Sequence, residues 1–223
     1  MDTNNTSRFE ILSDFERSMR LLLKQKYSSK KEFFMRDMLP VVKYVSAIKD
    51  GVFLAQEIKT NFEIFLPKVE GEWKHSNYEP LISVTEKYTE KLAHQLEKQQ
   101  ELFEKVVLII SSLDVNDGES LKATIKSTLI PITVEFKIIN LLCHIHSLLF
   151  RRDQDKLNEA IEDFLQEFQR LDESSTRPLL QIRGIIEQIK VSVDMSSEPK
   201  TIKLMLEKVV QIAEQFIHSF CDD

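Results

Sequence analysis

Glycine occurs four times in the 223 residues and proline six times, too few for a fold that relies on tight turns. Hairpin-rich sheets and Gly-rich phosphate-binding folds are disfavoured by that count. There are two cysteines, Cys143 and Cys221, so no disulfide framework is expected and a reducing compartment is the natural setting. The opening stretch, MDTNNTSRFEILSDFERS, is polar and acidic where a signal peptide needs basic residues followed by an apolar run. The expectation is an intracellular protein, cytoplasmic or nuclear.

Catalytic signatures are also missing. The chain has no G-x-x-x-x-G-K-[ST], no G-x-G-x-x-G, no H-E-x-x-H and no G-x-S-x-G. Helical di-metal sites need paired E-x-x-H segments, and the nearest spacing, Glu90 with His94, is one residue too long. No enzymatic activity and no cofactor are expected from these residues.

What remains is helical. Leu129 to Phe150, LIPITVEFKIINLLCHIHSLLF, is the most apolar stretch, with aliphatic residues all round a helical wheel. A helix that is apolar on every side is usually the buried centre of a helical assembly. The competing reading, a membrane span, is interrupted by Pro131, Glu135, Lys137, His144 and His146. Around this centre the apolar residues recur at spacings of three and four. Thr6 or Ser7 caps a first helix to about Lys26, carrying Phe9, Leu12, Phe15, Met19 and Leu22. Residues 29 to 66 read as broken helices, interrupted at Pro40 and loosened at Gly51. After a loop at 68 to 79, one long helix runs from about 81 to 113. Asp114 to Glu119 reads as a turn, and the central helix follows from about 120 to 151, with Pro131 as a dividing point. Shorter helices are expected around Leu157 to Leu171, Leu179 to Val193 and Pro199 to Phe220. The predicted architecture is all-α, a bundle of seven or eight helices with two long central ones. It forms a single domain over 1–223, in which 1–70 can be a subdomain beside a bundle over 80–223.

Three groups of residues are candidates for a site. The basic run includes Arg17, Arg20, Lys24, Lys30 and Lys31. It belongs to a segment, residues 17 to 49, that holds nine basic residues against Glu32 and Asp37. It can meet phosphates of nucleic acid or an anionic membrane, or an acidic partner. Residues 153 to 173 hold the opposite excess, eight acidic side chains against Lys156 and Arg170. A net charge of −6 and a pI near 5.5 argue against a dedicated nucleic-acid binder. The second group, Cys143 and His146, shares a helix face at a spacing that could offer sulfur and nitrogen to zinc. Two ligands do not make a site, and the simpler reading is polar packing with Cys as a hydrophobe.

The third group is Val84, Tyr88 and Leu92, a narrow apolar stripe on the long helix of the kind that forms a two-helix seam. It predicts a homodimer or an obligate partner. The alternative is that the pieces from 29 to 66 fold back over it. The functional expectation is a non-enzymatic adaptor or scaffold subunit that binds partner helices or peptides of other proteins in an intracellular complex. The alternative is a phosphate-binding module that uses the basic helices on nucleic acid or anionic membrane.

Overall fold

The computed structural model describes residues 7–69, 79–113, 115–151, 155–156, 158–160, 162 and 199–220. They form α1 (Arg8–Lys26), α2 (Lys31–Val69), α3 (Glu79–Ser111), α4 (Val115–Thr124), a π-helical turn (Ile125–Leu129), α5 (Ile130–Arg151) and α6 (Pro199–His218). Among the described residues there is no strand, so the protein is all-α, a helical bundle. Six α-helices are bounded where seven or eight are expected. The expected helices over 157–171 and 179–193 lie largely outside the described residues.

Part of the difference in count comes from α2. Pro40 and Gly51 were expected to break the chain, yet 39 residues run through both as one helix. A helix-interior proline removes one backbone bond and crowds one carbonyl, a cost of roughly 3 kcal/mol. Against it stands a nearly continuous buried face: Met38, Val41, Tyr44, Val45, Ile48, Val52, Ala55, Ile58 and Phe62. Each fully buried aliphatic side chain contributes about 1.5–3 kcal/mol, so the packed face outweighs the local defect. Gly51 stays in the helix for a different reason. A Cβ there would lie 2.9 Å from Gln99 Nε2 and 3.3 Å from the ring of Phe136, so even a methyl group must push the end of the Gln99 side chain aside. The glycine marks a close approach of α2 to α3 and α5.

The ends of α1 follow from its sequence. Ser7 is the N-cap, its hydroxyl accepting from Glu10 N at 3.3 Å, and the helix stops at Lys26 before the Tyr27–Lys30 turn. Asp114 to Glu119 were expected to turn, but α4 takes in Val115 onward. Pro131 does divide the central helix. The five residues before Ile130 widen into the π-helical turn, where Ile130 N reaches back to Ile125 O. That wider turn lies where a proline ring would otherwise strike the preceding carbonyl.

The described contacts sort the chain into two compact units. The first comprises Met1–Ala55, Ala93–Phe136 and Gln215–Asp223. Its interior includes an aromatic chain: Phe9 on Phe220 at 5.0 Å between centroids, Phe220 on Phe216 at 5.2 Å, and Phe216 on Phe136 at 5.9 Å. Arg8 grips Glu135 with both guanidinium nitrogens, at 2.5 and 2.8 Å, and Arg8 N donates to Ser219 O at 3.2 Å. Glu135 is one of the charges that interrupt the apolar stretch, and here it is neutralised within the unit. The second unit comprises Gln56–Leu92 and Lys137–Glu214. It buries Ile58, Phe62, Leu81, Tyr88, Leu92, Ile138, Ile139, Leu142, Cys143, Leu206 and Val209. No described helix is long and apolar enough to cross a membrane.

Candidate functional site

The stripe expected to meet a partner is covered from within the second unit. Tyr88 and Leu92 are buried and Val84 is half-buried. The Tyr88 ring meets Phe62 edge-on at 6.1 Å, and its hydroxyl accepts from Asn61 Nδ2 at 2.7 Å and donates to Glu57 Oε1 at 3.1 Å. Lys91 reaches the same carboxylate at 3.1 Å. Burial first, and then the adjoining Glu57 carboxylate, push the Tyr88 phenol well above its usual range. Burial also pushes Glu57 upward, but the bonds from Lys91 and Tyr88 outweigh it and hold the carboxyl below its usual range. Glu57, Asn61 and Phe62 of α2 thus cover Tyr88, and Leu92 is buried as well. The spacing on α3 found a seam, and the seam is internal.

The Cys143 side chain is fully buried, and burial raises its pKa far above the ordinary thiol value. A thiol that stays protonated is a poor metal ligand. His144 is half-buried and its pKa is lowered by burial. The side chain of His146 lies outside the described residues. Among those described, no group of three or more His, Cys, Asp or Glu side chains is placed to hold a metal ion. A cleft of about 550 Å³ near the start of α1 is lined by Ser7, Phe9, Glu10, Ser13, Asp14, Arg17 and Phe220. Asp14 is already paired with Arg17 at 3.1 Å, and the cleft gathers no nucleophile beside a base.

The basic run is exposed at Arg17, Arg20, Lys24, Lys30 and Lys31, but its members differ in what they already hold. Arg17 pairs with Asp14 and Arg20 with Glu16 at 2.8 Å. Lys26 caps the end of α3 through Ser112 O and Oγ, both at 2.8 Å. Arg36 donates to Asp37 at 2.8 Å, and Tyr27 donates to the other oxygen of that carboxylate at 2.7 Å. Burial pushes Asp37 upward, yet these two bonds prevail and keep its pKa below the ordinary carboxylate value. Phe33 stacks on Tyr27 at 6.0 Å, with Lys30 at 5.7 Å and Arg36 at 5.0 Å from its ring centroid. Lys24, Lys30, Lys31 and Lys43 make no ion pair among the described residues.

The feature missed by the spacing argument is the outer face of α2. Met35, Leu39, Val42 and Phe53 are 56%, 52%, 38% and 74% exposed. At about 100° per residue, positions 35, 39, 42 and 53 fall within roughly 60° of one another, on one side of the wheel, with exposed Ser46 between Val42 and Phe53 on the same line. Met35 and Phe53 stand about 27 Å apart along the axis at 1.5 Å per residue. All four belong to the first unit. On α3 of the same unit, Leu108 is 71% exposed, and the Asp50–Lys98 pair at 3.2 Å with the Tyr44–Phe103 contact at 5.7 Å sets it level with Leu39. The signal was present in the sequence as a second apolar row on α2, offset from the buried one. A row of large apolar side chains held in water on a helix whose other face is packed marks an interaction surface more often than chance exposure. Comparison with protein-family models, with curated proteins and with solved structures finds no match to this chain.

Proposed function

We propose that the chain is a non-enzymatic adaptor that seats a helix of another protein along the outer face of α2. The observation that carries this reading is the set Met35, Leu39, Val42 and Phe53, exposed on one side of α2. An amphipathic helix binds such a surface by laying its own apolar ridge at i, i+3, i+4 and i+7 against it. The face is rigid, because the opposite side of α2 is packed throughout. That rigidity lowers the ordering cost of association. A second reading, contact with phosphates of nucleic acid or an anionic membrane, has Lys24, Lys30 and Lys31 in its favour. Arg17, Arg20 and Arg36 already hold carboxylates of their own, which weakens it.

A photoreactive benzoylphenylalanine placed at Phe53 or at Leu39 in the native cell tests the adaptor reading. The expected result is one protein adduct common to both positions, lost when Val42→Glu is added and absent from a probe at exposed Glu97. Adducts of equal yield at Glu97, or none at Phe53 and Leu39, would overturn it.

A further inference from the structure

We infer that Ser29 is a phosphorylation site, and that its phosphate caps the N-terminus of α2. Ser28 and Ser29 are the two corner residues of the turn that joins α1 to α2, closed by Lys30 N donating to Tyr27 O at 2.8 Å. Both are exposed. Helical serines of the first unit spend their hydroxyls on the backbone: Ser13 donates to Phe9 O and Ser111 to Val107 O, each at 2.8 Å. The Ser28 and Ser29 hydroxyls make no hydrogen bond among the described residues. The turn itself is held in place on both sides of them, because Tyr27 donates to Asp37 and Lys26 to Ser112 O. Two free hydroxyls thus stand in solvent on an anchored turn.

The start of α2 supplies the second half of the argument. The helix begins at Lys31, so its N-cap is Lys30, whose side chain has no oxygen to accept from the first N–H groups. On α1 that role is filled by Ser7. A serine side chain reaches the N–H two residues ahead of it, and a phosphate extends that reach with three acceptor oxygens and a charge of about −2. On Ser29 those oxygens come to the N–H groups of Lys31 and Glu32, at the positive end of a helix of 39 residues. The charges along the chain favour the same group. Residues 17 to 36 hold seven basic side chains and one acidic one, Glu32. Arg17, Arg20 and Arg36 already hold carboxylates and Lys26 holds Ser112, which leaves Lys24, Lys30 and Lys31 against Glu32.

The enzyme this turn suits is a serine kinase that reads basic side chains on both sides of its target. Lys26 lies three residues before Ser29, and Lys30 and Lys31 follow it directly. Carboxylates in a kinase cleft pair with such flanks and turn acidic ones away. In the transfer, Ser29 Oγ attacks the γ-phosphorus of a nucleoside triphosphate and forms the new O–P bond. The bond from that phosphorus to the bridging oxygen breaks, and the nucleoside diphosphate leaves with the electron pair. The hydroxyl proton passes to the kinase's own carboxylate base. The phosphate then engages Lys30 and Lys31, which withdraws them from any external phosphate.

The experiment uses the full chain, Mg–ATP and two purified serine kinases, one selective for basic flanks and one for acidic flanks. The expected outcome is that the first transfers phosphate to Ser29, mapped by tandem mass spectrometry, and that the second does not. Ser29→Ala removes the transfer, and Lys30→Gln with Lys31→Gln slows it about tenfold, as the loss of two surface charge pairs allows. Phosphoserine encoded in place of Ser29 slows amide exchange at Lys31 and Glu32 about fivefold, the protection that a good N-cap confers. Phosphoserine in place of Ser18, exposed within α1, leaves those two amides unchanged. Protein recovered from its native cell with phosphatases inhibited carries phosphate on Ser29. No transfer by the first kinase, transfer mapped to Ser28 or to a helical serine, equal transfer by both kinases, or a bare Ser29 in the native cell would each overturn the site. Phosphate on Ser29 with unchanged exchange at Lys31 and Glu32 would overturn the cap and leave the site standing.

Discussion

Gly51 and Phe53 stand two residues apart on α2 and live under opposite constraints. At Gly51 a single added carbon meets Gln99 and Phe136. At Phe53 an entire ring stands 74% in water. The inner face of the helix is fixed by packing, and its content follows from the fold. The outer face contributes almost nothing to that packing, so folding alone does not account for its Met, Leu, Val and Phe. A surface lysine or glutamate would serve stability equally well. The difference between the two faces is the reason to look for function on the outer one.

The largest expected loss of stability follows Gly51→Leu. The branched side chain must displace both Gln99 and the Phe136 ring, and overpacking of this kind costs about 3 kcal/mol. Chemical denaturation should show the midpoint fall without a change of slope. Gly51→Ala should cost far less. Alanine gains about 1 kcal/mol of helix propensity. It must also push aside the Gln99 amide, which donates to Ala47 O at 3.1 Å, so the net loss should be much smaller than for leucine. A stabilised Gly51→Leu protein would mean that α2, α3 and α5 do not approach as described.

Next in size is Glu135→Ala. It leaves the Arg8 guanidinium in a partly covered site with no carboxylate, and losing one partner of such a pair costs roughly 1–3 kcal/mol. Urea melts of Glu135→Ala, Arg8→Ala and the double variant should show strong coupling, with the double variant losing clearly less than the sum of the singles. Simple additivity would show that the pair does not form.

Two buried tyrosines on the inner side divide in the same manner. Tyr88 gives and accepts well-placed hydrogen bonds, and Tyr88→Phe should cost about 1 kcal/mol, the usual net worth of such a bond. The Tyr44 hydroxyl makes no hydrogen bond of good geometry among the described residues, and the nearby Thr133 hydroxyl donates instead to Leu129 O at 3.1 Å. Tyr44→Phe should therefore leave thermal stability unchanged or raise it. Asp37 adds a pH test on the same scale. Its folded pKa is depressed, so the stability it contributes is complete above the unfolded value of about 4 and is lost as pH falls through the folded one. Asp37→Asn should flatten that part of the acid unfolding curve, and an unchanged curve would remove Asp37 from the account.

The parts of this fold that could be read from the sequence are those governed by local rules. Ser7 caps α1, Pro199 opens α6, and Pro131 divides the central helix. Each follows from what one backbone group can or cannot bond. Pro40 and Gly51 mislead for the same reason: local rules make them breakers, and only tertiary packing, invisible in a one-dimensional pattern, holds α2 together across them. The apolar spacing on α3 marks a face at Tyr88 and Leu92 and points it at a partner, whereas both side chains are buried within the chain. Spacing gives a face, however, and never says what covers it. On α2 the two apolar rows merge into a helix that looks greasy all round, so the bare row could not be told from the packed one until the neighbours were in place.

The smallest expected effect is the most informative. Phe53→Glu places a charge where solvent already surrounds the side chain, and substitutions at such positions usually change stability by no more than about 0.5 kcal/mol. A carboxylate has lower helix propensity cost than an aromatic ring, which works in the same favourable direction. The thermal midpoint should stay within the error of measurement while partner crosslinking through Leu39 is lost. The same substitution at Ile48, on the packed face, buries an unpaired charge and should prevent folding. If Phe53→Glu unfolded the protein as Ile48→Glu does, the outer face would be core, and the distinction between the two sides of α2 would disappear. If it changed neither stability nor binding, the face would be bare without being used.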